Sequence, residues 1–179
     1  MTMGIGTNDM KTTAMSQRTE IRLAVEEFVI DEAARLDAWD LDGWLGLFAA
    51  ECRSAVTPTN VENPLELETS STLFLIGDNR ERLEQRIIRL KKPTAHVEFP
   101  RSKTRHIYSN VRILGHDGDT VTATLNFCTF RSKNRVTTYY PGWIRYIFSR
   151  KHEEFQIKEK RVMLDLEALI PQGKVSILL

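Results

Sequence analysis

Apolar residues return every third or fourth position between Ile21 and Leu36, at Ile21, Val25, Phe28, Val29, Ala33 and Leu36. That spacing draws one greasy stripe along a helix. The helix is predicted from an N-cap at Ser16 to about Asp37. A second, short helix fits "DLDGWLGLFAAE", capped by Asp40, with Leu41, Trp44, Leu45 and Phe48 turned inward. A third fits "DNRERLEQRIIRLKK", capped at Asp78, with Leu83, Ile87 and Leu90 inward and a charged, solvated opposite face. Between them, "TPTNVENP" reads as a loop and "STLFLIGD" as a short strand.

Beyond Pro93 the period changes from helical to alternating. From Lys103 to about Leu166 the chain reads as long strands. In "TVTATLNFCTF", Val121, Ala123, Leu125 and Phe127 share one side while Thr122, Thr124 and Asn126 share the other. "GHDGD" and "HEE" mark hairpins, and "GWIRYIFSRK" and "FQIKEKRVMLDL" supply further strands. In "KTRHIYSNVRIL", Ile107, Ser109, Val111 and Ile113 alternate against His106, Tyr108, Asn110 and Arg112. Assigning the apolar set to the helices places His106 on the outer face. Helices first and long strands afterwards predict an α+β fold: a strongly curved antiparallel sheet covered by the N-terminal helices, cone-shaped. One domain is expected over residues 16–179, after a disordered leader at 1–15.

Composition narrows the function classes. The 25 basic and 24 acidic residues nearly cancel, and no basic run appears, so the electrostatic footprint of a nucleic-acid binder is missing. No apolar run is long enough for a membrane span, and the start lacks the pattern of a secretory signal. Cys52 and Cys128, far apart in sequence, read as free thiols in a reducing compartment, which points to the cytoplasm.

Candidate chemistry is sparse. Neither cysteine opens a C-x-x-C, C-x-H or C-x-x-H, and His96, His106 and His116 lack metal-ligand spacing, so no metal site is assigned. G-x-S-x-G and both phosphate-binding glycine motifs are absent. A curved sheet capped by helices can nevertheless enclose an acid–base pocket, for which the chain offers His106, Tyr108, Asp40 and Asp165. One reading is therefore a stand-alone cone-fold isomerase or dehydratase, and a ligand-binding module without chemistry is not separable from it. The other is a subunit contact built on Arg105, His106, Tyr108, Asn110 and Arg112, a mix of charge, aromatic and amide groups typical of wet interfaces. Arg131, Arg145, Arg161 and "KEKR" add cations to the same sheet.

Four stretches, in order, resemble the small (beta) subunits of bacterial aromatic-ring-hydroxylating dioxygenases. They are "DEAARLDAWDLDGWLGLFA", "DNRERLEQRIIRL", "AHVEFPRSKTRHIYSNVRI", and "RVMLDLEALI" with the "KVSILL" end. The likeness runs from the first helix to the last residue. One departure is "CRSAVTPTN", which lacks the aromatic that often precedes the proline in that family's strand. The resemblance implies the cystatin-like cone shared with ketosteroid isomerase and no catalytic residue in this chain. It implies a trimer of small subunits, joined to three large (alpha) subunits. The large subunit would carry a [2Fe-2S] Rieske cluster and mononuclear Fe(II), adding dioxygen to an aromatic ring with NAD(P)H-derived electrons. His106 would then hold structure or an interface.

Overall fold

A computed structural model describes residues 7–67, 73–94, 98–151, 154–170 and 172–179. Helices α1 (Thr7–Ala38) and α2 (Leu41–Gly46) lead into β1 (Phe48–Val56). Strand β2 (Ile76–Asn79) turns directly into α3 (Arg80–Lys91). Four long strands follow: β3 (Lys103–Asp117), β4 (Thr120–Lys133), β5 (Val136–Lys151) and β6 (Glu154–Leu164). They make one six-stranded sheet in the order β2-β1-β6-β5-β4-β3. Every neighbouring pair is antiparallel except β1 with β6, which are parallel. The α+β layout agrees with the sequence reading; the parallel pair does not. It joins the first strand to the last, a distance over which no local pattern carries pairing information.

Helix α1 begins at Thr7, well before the predicted cap. Ser16 is therefore interior, its hydroxyl bonded to Glu20, and residues 7–15 of the expected leader are helical. No glycine or proline interrupts that stretch, so nothing local stops the helix. Its other end closes without glycine. Trp39 takes a positive φ of 62°, its N–H donates to the Leu36 carbonyl, and the Asp40 N–H donates to the Arg35 carbonyl. That is a Schellman closure, which usually uses glycine. Asp40 then caps α2 as predicted, accepting from the Gly43 N–H. Helix α2 stops at Gly46, however, so Phe48 packs from β1. The cap of α3 is Asn79, not Asp78, which instead pairs with Arg86 at 2.6 Å.

The core lies between the helices and one sheet face. Ile21, Val25, Val29 and Leu36 of α1 meet Val121, Leu125, Ile144 and Phe148 of the central strands. Full burial of each large side chain contributes about 1.5–3 kcal/mol before entropy is set against it. Gly142 marks a close approach of two backbones, because a Cβ there would lie 2.0 Å from the Met163 carbonyl oxygen. The β4–β5 hairpin turns on Asn134 and Arg135, both at positive φ, 51° and 65°. Two such residues match the right-handed twist of long paired strands, and this turn was not anticipated from "SKNRV".

Candidate functional site

Strand β3 corrects the assignment of faces made from the sequence. His106 is buried at 7% exposure, whereas Ile107 is 50% exposed. The cause is a bulge. Ser109 pairs with Asn126 and Arg112 with Thr124, so β3 carries one extra residue there, and Asn110 adopts φ 57°. An extra residue reverses the alternation beyond it. His106 and Tyr108 therefore face the helices before the bulge, and Val111 and Ile113 do so after it. Arg105, Asn110 and Arg112 stay exposed. The five candidate interface residues thus do not share one face.

The inward set forms two polar clusters. The deeper one centres on Glu32, in phase with the apolar stripe of α1. Its carboxylate accepts from the Trp44 indole N–H at 3.0 Å, the Tyr146 hydroxyl at 2.7 Å and the Lys160 ammonium at 2.6 Å. Glu32 and Lys160 are both 0% exposed. Lys160 belongs to "KEKR"; its alternation with Val162 and Leu164 turns it inward. Burial pulls the Lys160 ammonium below its usual range against the opposing pull of Glu32. Burial and the Glu32 charge push the Tyr108 and Tyr146 phenols well up. The Tyr108 hydroxyl, buried beside them, has no hydrogen-bond partner of good geometry.

The second cluster lies where α1 ends. Asp37 accepts from the His106 backbone N–H at 3.1 and 3.2 Å and lies 2.7 Å from His106 Nδ1. Because β3 is an edge strand, that N–H would otherwise lack a partner. His106 Nε2 lies 3.1 Å from the Leu178 carbonyl oxygen. Both ring nitrogens thus face oxygen atoms of this chain. Burial raises the Asp37 carboxyl, but the His106 hydrogen bonds and charge, with Arg105, hold it below its ordinary value. Nearby, buried Glu98 accepts from the Ser102 backbone and hydroxyl, from Ser176 at 2.7 Å, and from Arg131 at 2.8 and 3.0 Å. Burial opposes these donors, which nevertheless keep the Glu98 carboxyl low. Arg131 accordingly points inward.

The remaining acid–base and metal-ligand candidates do not join this site. Asp40 and Asp165 are exposed, His116 is exposed near the β3–β4 turn, and His96 falls outside the described residues. Beside His106, between Leu36, Trp39, Leu41, Thr104, Ile177 and Leu178, the free volume is about 10 Å³. That is at most the room for one water. Among the described residues no three His, Cys, Asp or Glu side chains gather as metal ligands would. Burial pushes both the Cys52 and Cys128 thiols up, away from the thiolate a metal needs. Among the described residues, the donors therefore do not fit a Rieske cluster or an iron site.

Residues 31–171 match the family described as ring hydroxylating beta subunit. The chain belongs to that family. It is a small subunit of an aromatic-ring-hydroxylating dioxygenase. The beta subunit is 42% identical over 158 residues to the small oxygenase component of the p-cumate 2,3-dioxygenase system of Pseudomonas putida, covering 88% of this chain and 87% of that one. Its fold superposes on naphthalene 1,2-dioxygenase with TM-score 0.76 at 13% identity, covering 90% of this chain and 86% of the other. It also superposes on an NTF2-like protein of cystatin-like fold from Novosphingobium aromaticivorans, with TM-score 0.62 at 16% identity, covering 94% and 97%. The beta subunit thus has the cystatin-like α+β fold its sequence resembled. No described helix is long and apolar enough to cross a membrane.

Proposed function

We propose that this beta subunit has no catalytic residue of its own and serves assembly, three copies joining three large subunits in a cytoplasmic oxygenase. The large subunit would carry the [2Fe-2S] Rieske cluster and the mononuclear Fe(II). The observation that carries this reading is that the carboxylates and the histidine buried in the cone are engaged by partners from this same chain. Glu32 accepts from Trp44, Tyr146 and Lys160, and His106 lies between Asp37 and Leu178. A general base needs a free lone pair within reach of a substrate proton, and the space beside His106 holds at most one water.

In this reading Arg105, Asn110 and Arg112 meet a neighbouring subunit directly, while His106 and Tyr108 hold β3 in shape from behind. Along the outer face Arg105 pairs with Phe130 and Phe130 with Tyr139, the two rings being 38% and 53% exposed. Arginine and exposed aromatics in one row are the usual make-up of a contact surface. The test is co-purification of the tagged chain with its large subunit, followed by mass and iron measurement. Equimolar, iron-containing hexamers are expected. Arg112→Glu is expected to reduce their population while iron per large subunit stays constant. A lone, metal-free chain that turns over substrate would overturn the reading.

A further inference from the structure

The C-terminal segment is held in an unusual way. Residues 174–179 belong to no helix or strand, yet Ile177, Leu178 and Leu179 are buried in the core. Side chains from elsewhere supply the anchors. The Tyr140 hydroxyl donates to the Lys174 carbonyl at 3.1 Å, Ser176 donates to Glu98 at 2.7 Å, and His106 meets the Leu178 carbonyl at 3.1 Å. None of these bonds belongs to the sheet ladder, so release of the segment would uncover Ile177, Leu178 and Leu179 but break no strand.

What it would leave behind is organised. Leu36, Trp39 and Leu41 form apolar walls, Thr104 adds a hydroxyl, and His106 presents Nε2 to the space Leu178 fills. Asp37 holds the ring from the far side through Nδ1 and also receives Arg105 at 3.2 Å. The donor is therefore fixed in place whether or not the tail is present. An apolar pocket with a few placed polar groups is what a small-molecule site requires. The tail meets that specification from within the same chain, offering one carbonyl acceptor on a branched aliphatic body.

We infer that residues 174–179 are a built-in ligand: a plug seated in a pocket at the end of α1 that takes small apolar molecules bearing a carbonyl oxygen. Tail and free ligand compete for the same His106 N–H. The recognised chemistry is a neutral carbonyl, as in an amide or ketone, with a hydrocarbon body of about leucine size.

The probe is 4-methylpentanamide, which reproduces the side chain and carbonyl of Leu178. Calorimetric titration against the chain ended after Gly173 is expected to give one site, and the full-length chain none. His106→Ala in the shortened chain is expected to weaken binding at least tenfold. A shortened chain that remains folded by circular dichroism but does not bind overturns the inference, as does equal binding by the full-length chain. Should the shortened chain not fold, hydrogen exchange on the full-length chain decides. The amides of Val175 to Leu179 are then expected to exchange at least tenfold faster than those of β4 and β5, and faster still with excess 4-methylpentanamide. Equal protection of tail and sheet, unaffected by the amide, would mean that the segment is ordinary core.

Discussion

The two polar clusters inside the cone use similar residues to different ends. Around Glu32 every partner comes from a helix or a strand, so the cluster ties α1 and α2 to β5 and β6. Around His106 and Glu98, partners include the loop before β3 and the chain's last residues. The first joins regular elements whose backbones are already satisfied. The second fixes irregular segments, which lack backbone partners and must be held by side chains. A buried charge in the first cluster therefore governs global stability, whereas one in the second governs where a short segment rests.

The largest effect should come from splitting the deep pair. Lys160→Met leaves Glu32 charged and uncompensated, at an expected cost of about 3–5 kcal/mol in denaturant unfolding. Adding Glu32→Gln should recover most of the loss, since removing both charges of a buried pair is often nearly neutral. If the double variant is no better than the single, the pair is not the unit that matters. At the mouth, Glu98→Ala should cost about 2 kcal/mol, the scale for charge-assisted bonds. It should also raise hydrogen exchange at the tail, which Lys160→Met should do only as part of global unfolding.

Acid sharpens the contrast. The Asp37 and Glu98 carboxyls are held below their ordinary values of 3.8 and 4.5. Each therefore contributes stability that is fully present above that ordinary value and is lost as pH falls from there through the lower, folded value. Unfolding free energy measured from pH 7 down to 3 should drop below about pH 4.5, the range where unfolded carboxylates take up protons. Asp37→Asn and Glu98→Gln should each flatten the drop. The smallest effect belongs to the exposed cap: Asp40→Ala should cost about 1 kcal/mol and leave both clusters intact.

These clusters also mark where sequence reading succeeds. Periodicity located all three helices and the inward residues of β4, because Val121, Ala123, Leu125 and Phe127 alternate without interruption. In β3 the same rule placed His106 on the wrong face. One residue, Asn110, resets the phase, and asparagine tolerates left-handed backbone well enough to do so without glycine as a flag. Glu32 and Lys160 were legible in principle, since each falls in phase with buried apolar neighbours. Their charge argued for the surface, and only their mutual pairing across α1 and β6 explains their burial. The tail's place was not legible, because side-chain anchors drawn from three distant segments leave no periodic trace.

The parallel contact between β1 and β6 has a kinetic consequence. Strands β3 to β6 are linked as successive hairpins, but β1 cannot enter the sheet until the last strand exists. Pairing of residues as far apart as Phe48 and Ile157 closes slowly, because loop entropy is lost before the contact compensates. On the ribosome, the apolar stripe of α1 and the inward side of β1 must wait uncovered while the rest is synthesised. Folding is therefore expected to nucleate in the β4–β5 hairpin and finish at β1. Kinetic analysis of Ile144→Val and Val56→Ala tests the order: the first should slow folding, whereas the second should mainly speed unfolding.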